Sequence, residues 1–91
     1  MRQALDLLRR AGITRARFSA RYGGQSPRGF TILNDVQTPV GEIEHVWIRP
    51  GHWRGPIPKT GAEVRFRAYI EPYYREDGTE DLGLFRLQVV P

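Results

Sequence analysis

The chain has 91 residues, a formal net charge of +4 at pH 7 and no cysteine. This length fits one domain with a single modest core and excludes a large catalytic cleft between two domains. The absence of cysteine excludes disulfides, thiolate metal ligands and thiol catalysis. We therefore expect residues 1–91 to form one domain whose core holds without covalent cross-links.

The positive charge is carried by arginine and is concentrated in the first third of the chain. Lys59 is the only lysine among the 14 basic residues. Residues 1–34 hold seven arginines and one aspartate, a net charge of +6, whereas residues 35–91 hold seven basic and nine acidic residues, a net charge of −2. Guanidinium groups bind phosphate and carboxylate and stack on flat π-systems. A GC-rich genome would also raise the arginine-to-lysine ratio, so the location of the charge is the better guide to a partner.

The beginning of the chain carries no recognisable targeting signal. It lacks the apolar run and the small-residue cleavage site of a signal peptide. No stretch of the sequence approaches the roughly 18 apolar residues of a membrane span. We therefore expect a cytoplasmic protein with no membrane partner.

Residues 1–12 are predicted to form a short amphipathic helix. The apolar residues at the i, i+3, i+4, i+7 spacing of one helical face are Ala4, Leu7, Leu8 and Ala11. Gly12 is placed to end the helix. A helix this short is marginal alone in water, so we expect its apolar face to dock on the domain or on a partner.

After Gly12 the hydrophobic period changes to two, which is typical of half-buried strands. Strands are predicted at residues 15–22, 29–35, 42–48, 63–71 and 84–90. In the last two strands the residues expected in the core are Val64, Phe66, Ala68, Ile70, Phe85, Leu87 and Val89. We expect a flexible cationic loop at 23–28, turns at 38–41 and 76–79, and an irregular connection at the Pro- and Gly-rich residues 49–61.

Five strands in about 75 residues fit a small barrel better than a sandwich. Four segments resemble small OB-fold proteins of bacteria and their phages: Thr31 to Val36, His45 to Ile48, Gly61 to Ile70 and Leu82 to Leu84. The resemblance covers residues 29–90, and its most specific part is the glycine-led fourth strand. It implies a mainly β fold, a five-stranded Greek-key barrel over residues 15–90 with one N-terminal helix. The Pro- and Gly-rich segment then stands where such barrels usually have a helix.

The sequence offers no constellation typical of an enzyme. His45 and His52 are the only histidines, and no nucleophile elbow, phosphate-binding Gly-rich loop or His-Glu-x-x-His motif is present. Two histidines without a third ligand do not predict a metal site. The four carboxylates around the 76–79 turn are expected to be solvated. We predict a non-catalytic protein with no cofactor and no metal.

Binding of single-stranded DNA, single-stranded RNA or structured RNA is the leading hypothesis. If Phe18 and Phe66 point into the barrel, alternation places arginines and one tyrosine on the outside of the first and fourth strands. The resemblance to OB-fold proteins implies that these two strands are neighbours. The predicted phosphate-contacting residues are Arg15, Arg17, Arg21, Arg28, Arg65 and Arg67. The predicted base-stacking residues are Trp47, Tyr69 and Trp53. Cations along a track and aromatic platforms are together what single-strand binding requires.

Three points leave this hypothesis open. Arg15, Arg17 and Arg21 could instead pair across strands with Glu63 and Glu71 as exposed salt bridges. Trp47 faces outward only if Val46 and Ile48 are buried, which is the arrangement we expect. Trp53 fits a hydrophobic plug at one end of the barrel as well as a stacking platform.

The rival hypothesis is a structural or adaptor protein, of phage origin or otherwise. It would act through a free strand edge or the apolar helix face, as a homo-oligomer or with a protein partner. The acidic turn near residues 76–81 would repel phosphate and could contact a basic protein partner. The sequence does not distinguish DNA from RNA.

Overall fold

The computed structural model describes residues 3–91, so the first two residues of the predicted helix lie outside the described part. One short helix precedes a set of strands, and the fold is mainly β. The elements are α1 (Gln3–Arg10), β1 (Arg15–Gln25), β2 (Thr31–Thr38), β3 (Gly41–Ile48), β4 (Trp53–Arg54), β5 (Glu63–Tyr74) and β6 (Glu80–Val89). There are six strands in this part of the chain, where the sequence predicted five.

The six strands form one sheet in the order β3-β2-β1-β5-β6-β4. Neighbouring strands are antiparallel except β4, which runs parallel to β6. The sheet curls so that Cα atoms of β3 and β6 come within 8 Å of each other, although three strands separate them in the sheet order. No ladder joins β3 to β6 within residues 3–91, and the sheet there is open. Helix α1 packs against both of these strands.

The core is centred on the ladder between β1 and β5. Phe18 and Phe66 are register partners, and their rings stack with centroids 5.5 Å apart. The predicted inward residues of β5, from Val64 to Ile70, are all buried. Inward and outward side chains therefore alternate along this part of β1 and β5, so the arginines of both strands lie on the outer face of the sheet.

The helix buries two of the four residues predicted for its apolar face, Ala4 and Leu8, and it buries Leu5 in place of Leu7. Leu5 is fully buried, whereas Leu7 is 50% exposed and Ala11 is also exposed. Leu5 and Leu7 lie on either side of Asp6 in the sequence, so the local pattern allows a buried helix face with either leucine. Because α1 packs on β3 and β6, the face with Leu5 is the buried one. The predicted end is confirmed: Gly12 has a φ of 81°, and the next amide donates to the Leu8 carbonyl.

The predicted loop at residues 23–28 is shorter than expected, because β1 continues through Gln25. Gly23 makes this continuation possible. A Cβ at Gly23 would lie 2.7 Å from Nδ2 of Asn34 and 3.1 Å from the Ile32 carbonyl oxygen, so any other residue here would force the Asn34 side chain and the β2 backbone to shift. The turn is then confined to Ser26–Phe30, where the Ser26 amide donates to the Phe30 carbonyl.

Strand β6 contains a bulge that reverses the predicted side of Phe85. Arg67 pairs with Gln88 but Tyr69 pairs with Phe85, so β6 has one extra residue, and Arg86 takes a φ of 50°. Leu84 and Leu87, three residues apart, therefore both face the core. The prediction that Phe85 is a core residue is wrong, because the bulge turns it to the outer face beside Tyr69.

The connection at 49–61 is also more ordered than predicted. Trp53 and Arg54 form β4 against Leu87 and Gln88 of β6, and the Leu87 amide donates to the His52 carbonyl at 2.7 Å. Gly55 permits this docking, since a Cβ there would lie 2.6 Å from Cβ of Val89. The expectation that this segment contains no strand is therefore wrong for two residues.

Trp53 lies against the core, as expected of a plug. It is half-buried, its ring centroid is 5.7 Å from that of Tyr22, and its buried Nε1 finds no hydrogen-bond partner in residues 3–91. An unpaired buried N–H is destabilising.

Trp53→Phe should therefore change the free energy of unfolding by less than about 1 kcal/mol, because removal of the unpaired N–H offsets the smaller ring. Trp53→Ala should lose about 2–4 kcal/mol because it removes the whole plug. Urea denaturation followed by circular dichroism measures both. Equal losses for the two variants would contradict the assignment of Trp53 as a packing residue.

Candidate functional site

An arginine-lined pocket of about 300 Å³ lies on the outer face of the sheet, and we call it the arginine pocket. Four elements contribute to it: β1, β4, β5 and β6. Its lining residues are Arg15, Gly51, His52, Arg54, Arg67, Tyr69, Arg86 and Gln88. Four of these carry guanidinium groups, and no carboxylate of residues 3–91 lines the pocket. The pocket is therefore suited to an anion.

Tyr69 organises two of these guanidinium groups. The Cζ atom of Arg86 lies 4.0 Å from the Tyr69 ring centroid, and that of Arg15 lies 5.4 Å from it. Arg15 is the cross-strand partner of Tyr69, while the β6 bulge brings Arg86 to the ring. Arg86 also donates to Oε2 of Glu71 at 2.7 Å. The Nε atom of Arg67 is buried with no hydrogen-bond partner in the described part of the chain.

A second pocket, of about 390 Å³, is lined by aromatic rings, and we call it the aromatic groove. Its lining residues are Phe30, Trp47, Arg49, Tyr73, Tyr74, Arg75, Glu76, Gly83, Leu84 and Phe85. These come from β3 and the residue that follows it, from the turn before β2, and from the β5–β6 turn and the two strands that it joins. The approach of β3 to β6 brings them together.

Trp47 is the most informative residue of the aromatic groove. Val46 and Ile48 are fully buried, and Trp47 is 49% exposed, which agrees with the expected outward orientation. Its ring centroid lies 5.9 Å from that of Phe30. A large, half-exposed indole beside a second ring forms a platform for a flat ligand.

Cations also line the aromatic groove. The Cζ atom of Arg49 lies 5.6 Å from the ring centroids of both Tyr73 and Phe85. The rings of Tyr73 and Phe85 meet edge to face at 6.3 Å. This arrangement fixes the Arg49 guanidinium by cation–π contact beside the groove.

The arginine pocket and the aromatic groove adjoin each other. His52 lines the first and Phe85 lines the second, and their ring centroids are 5.6 Å apart. Nδ1 of His52 accepts a hydrogen bond from the Arg86 amide at 3.0 Å, which orients the ring. A ligand with a charged part and a flat part could therefore occupy both.

The structure separates the predicted site residues into groups. Arg15, Arg67 and Tyr69 line the arginine pocket, and Trp47 lines the aromatic groove. Arg17 and Arg65 line a different pocket, together with Thr38 and Pro91. The predicted residues that line neither of the first two are Arg17, Arg21, Arg28, Trp53 and Arg65.

The predicted salt bridges are not found in the described part of the chain, because Glu63 and Glu71 pair with arginines of β5 and β6 and not with those of β1. Glu63 lies 3.5 Å from Arg65, and Glu71 lies 2.7 Å from Arg86. Among the ion pairs of residues 3–91, none joins these carboxylates to the arginines of β1. Arg21 instead donates to the Gly61 carbonyl at 3.2 Å.

Sequence reasoning missed Phe30, Arg49, Phe85 and Arg86 as site residues. Phe85 and Arg86 depend on the β6 bulge, for which the only sequence signal is the spacing of Leu84 and Leu87. Phe30 and Arg49 depend on the curl of the sheet, which has no local signal.

The acidic turn differs from the solvated cluster that we expected. Asp81 is 1% exposed, accepts hydrogen bonds from the Arg75 guanidinium, and accepts one from the Leu82 amide at 2.8 Å. Pairing with Asp81 raises the pKa of Arg75. Hydrogen bonds from the Thr79 hydroxyl and amide hold the pKa of the Asp77 carboxyl below its usual range. Asp81 is therefore a structural residue, and its charge is balanced by Arg75.

Asp81→Asn should lower the free energy of unfolding by about 1–3 kcal/mol, since an amide weakens the buried charge-assisted hydrogen bonds with Arg75. Glu80→Gln, at an exposed neighbouring position, is the matched control and should leave it within about 0.5 kcal/mol. Urea denaturation of both variants tests this. An Asp81→Asn variant as stable as the control would show that the carboxylate has no structural role.

Comparison with known proteins identifies no family for this chain. No family model, no curated protein and no solved structure matches the chain. The resemblance to OB-fold proteins therefore stays a prediction. Within residues 3–91 no helix has the length and apolar character needed to cross a membrane.

Proposed function

We propose that this chain is an OB-like barrel protein that binds single-stranded nucleic acid without catalysis. Unpaired bases stack in the aromatic groove, and the backbone phosphates contact the arginine pocket. The barrel part of the proposal is supported by the sheet order, by the close approach of β3 to β6, and by the packing of α1 on both strands.

The observation that carries the proposal is the exposure of Trp47 beside Phe30, next to a cluster of guanidinium groups. A stacked base contributes about 1–3 kcal/mol of binding free energy on such a platform. The neighbouring arginines supply the phosphate attraction that any nucleic-acid site needs.

The aromatic groove favours single strands over duplexes. In a duplex the faces of the bases are covered by their neighbours, so only unpaired bases can stack on Trp47. Glu76 lines the groove and would repel a phosphate placed there, while its carboxylate can accept a hydrogen bond from a base amino group. We therefore assign bases to the aromatic groove and phosphates to the arginine pocket.

Fluorescence anisotropy tests this proposal with labelled oligonucleotides of about ten nucleotides, a length within the site size of one OB fold. Single-stranded DNA and RNA of one sequence should be compared with the matching duplex at several salt concentrations. We expect tighter binding of the single strands, with log K falling by about 3 per tenfold increase in salt if four phosphates are neutralised. No binding at low ionic strength, or a preference for the duplex, would contradict the proposal.

A structural or adaptor role is the second candidate. Leu7 and Val40 are each about half exposed, and they line the same shallow pocket between α1 and the β2–β3 turn. An apolar pair of this kind can support a protein contact. Sedimentation that shows a concentration-independent monomer of 10.5 kDa would remove the support for self-association through this surface.

A further inference from the structure

The charge of the arginine pocket is not balanced by the protein. Among the ion pairs of residues 3–91, Arg86 is the only pocket arginine with a carboxylate partner. Arg15, Arg54 and Arg67 have no such partner in that part of the chain. Like charges held together in one pocket repel one another unless an anion is present. The pocket therefore favours a ligand with more than one negative charge.

The pocket is also partly organised before a ligand enters. Tyr69 contacts the guanidinium groups of Arg15 and Arg86, and Glu71 fixes Arg86 from the side. Nε of Arg67 is buried and lacks an acceptor within residues 3–91. A bound oxyanion would meet guanidinium donors whose positions are already restricted, which lowers the entropy lost on binding.

The two kinds of phosphate in a nucleic acid differ in charge. A phosphodiester within the strand carries one negative charge. A phosphomonoester at a strand end carries between about 1.5 and 2 at neutral pH, and it presents three acceptor oxygens. An unbalanced cluster of three arginines complements the monoester better than the diester.

We propose that the arginine pocket binds the dianionic phosphate of a phosphomonoester. If the protein binds single-stranded nucleic acid as proposed above, the phosphorylated end of a strand occupies the arginine pocket; this assignment rests on the proposed function. The adjoining bases enter the aromatic groove past His52 and Phe85. A free nucleotide presents the same chemical group, so the experiment must distinguish the two sources.

The phosphate preference is tested on the intact chain by calorimetry with methyl phosphate, a dianion, and dimethyl phosphate, a monoanion. We expect methyl phosphate to bind at least about tenfold more tightly, which corresponds to one additional charge contact. Equal binding of the two probes, or binding of neither, overturns the proposal.

Whether the phosphomonoester belongs to a strand end or to a free nucleotide is tested by anisotropy with three forms of one oligonucleotide. The first form carries a 5′-phosphate, the second carries a 3′-phosphate, and the third carries hydroxyl groups at both ends. One phosphorylated end should bind at least about tenfold more tightly than the unphosphorylated strand. If all three bind with the same affinity, the placement of a phosphorylated strand end in the arginine pocket is overturned and the proposed function stands. If methyl phosphate binds and no oligonucleotide does, the phosphate pocket stands, a free phosphomonoester is its ligand, and the proposed function fails.

Variants locate the effect in the arginine pocket. Arg54→Gln, at an exposed pocket position, and Arg67→Gln should each reduce the advantage of methyl phosphate by at least about fivefold. Arg9→Gln removes the same charge from an exposed position on α1, outside this pocket, and should leave the advantage unchanged. Use of two pocket variants guards against a folding defect at the half-buried Arg67. Equal effects of all three changes would show that net charge alone drives binding and would overturn the proposal.

Discussion

Phe66→Ala is expected to lower the free energy of unfolding by about 3–5 kcal/mol, the largest effect of any single change that we predict. Phe66 is fully buried and stacks on Phe18 across the ladder between β1 and β5, which are the two middle strands of the sheet. Removal of the ring leaves a cavity that the regular β1–β5 ladder cannot easily close. Small domains are stable by only about 5–15 kcal/mol, so much of the protein should unfold under mild denaturant.

Urea denaturation followed by circular dichroism measures this loss. Ile57→Ala is the control, because Ile57 is an exposed large hydrophobic residue outside the core, and it should change the stability by less than about 0.5 kcal/mol. Phe66→Leu should lie between the two, since most of the buried volume is kept. A loss below about 1 kcal/mol for Phe66→Ala would contradict the position assigned to the core.

Trp47→Ala is expected to weaken oligonucleotide binding by about five- to 150-fold, the equivalent of one lost stacking platform of about 1–3 kcal/mol. Trp47 is half exposed and its ring contacts are on the surface side of β3, so stability should fall by less than about 1 kcal/mol. The combination of a large loss of affinity with a small loss of stability is what distinguishes a platform from a core residue.

Anisotropy titration at one fixed salt concentration measures the affinity of this variant. Trp47→Phe keeps a smaller ring and should retain most of the binding. Ile57→Ala removes a comparable exposed apolar side chain elsewhere and should bind as the unmodified protein does. Unchanged affinity of Trp47→Ala would remove the main support for the aromatic groove as the base-binding surface.

The regular parts of the fold could be predicted because their signals are local. Alternation alone places Phe18 and Phe66 inside, and it places Arg15, Arg67 and Tyr69 outside on the same face. The helix, its end at Gly12 and the two turns also follow from short-range patterns.

The remaining parts depend on contacts between distant residues. Phe85 changes face because of one extra residue in β6, and Arg54 reaches the arginine pocket because Gly55 lets β4 lie against Val89. The rings of the aromatic groove are scattered from Phe30 to Phe85 in sequence and meet only because the sheet curls. No period or spacing in the sequence encodes that meeting, so the predicted site contained one of its rings, Trp47.

The most direct test of the proposed base stacking is tryptophan fluorescence in a Trp53→Phe variant, in which Trp47 is the only remaining tryptophan. The variant should be titrated with an unlabelled single-stranded oligonucleotide at low salt, and then with added salt. We predict strong quenching of Trp47 on saturation and recovery of the fluorescence as salt releases the strand. Unchanged Trp47 fluorescence at concentrations where anisotropy reports full binding would contradict base stacking in the aromatic groove.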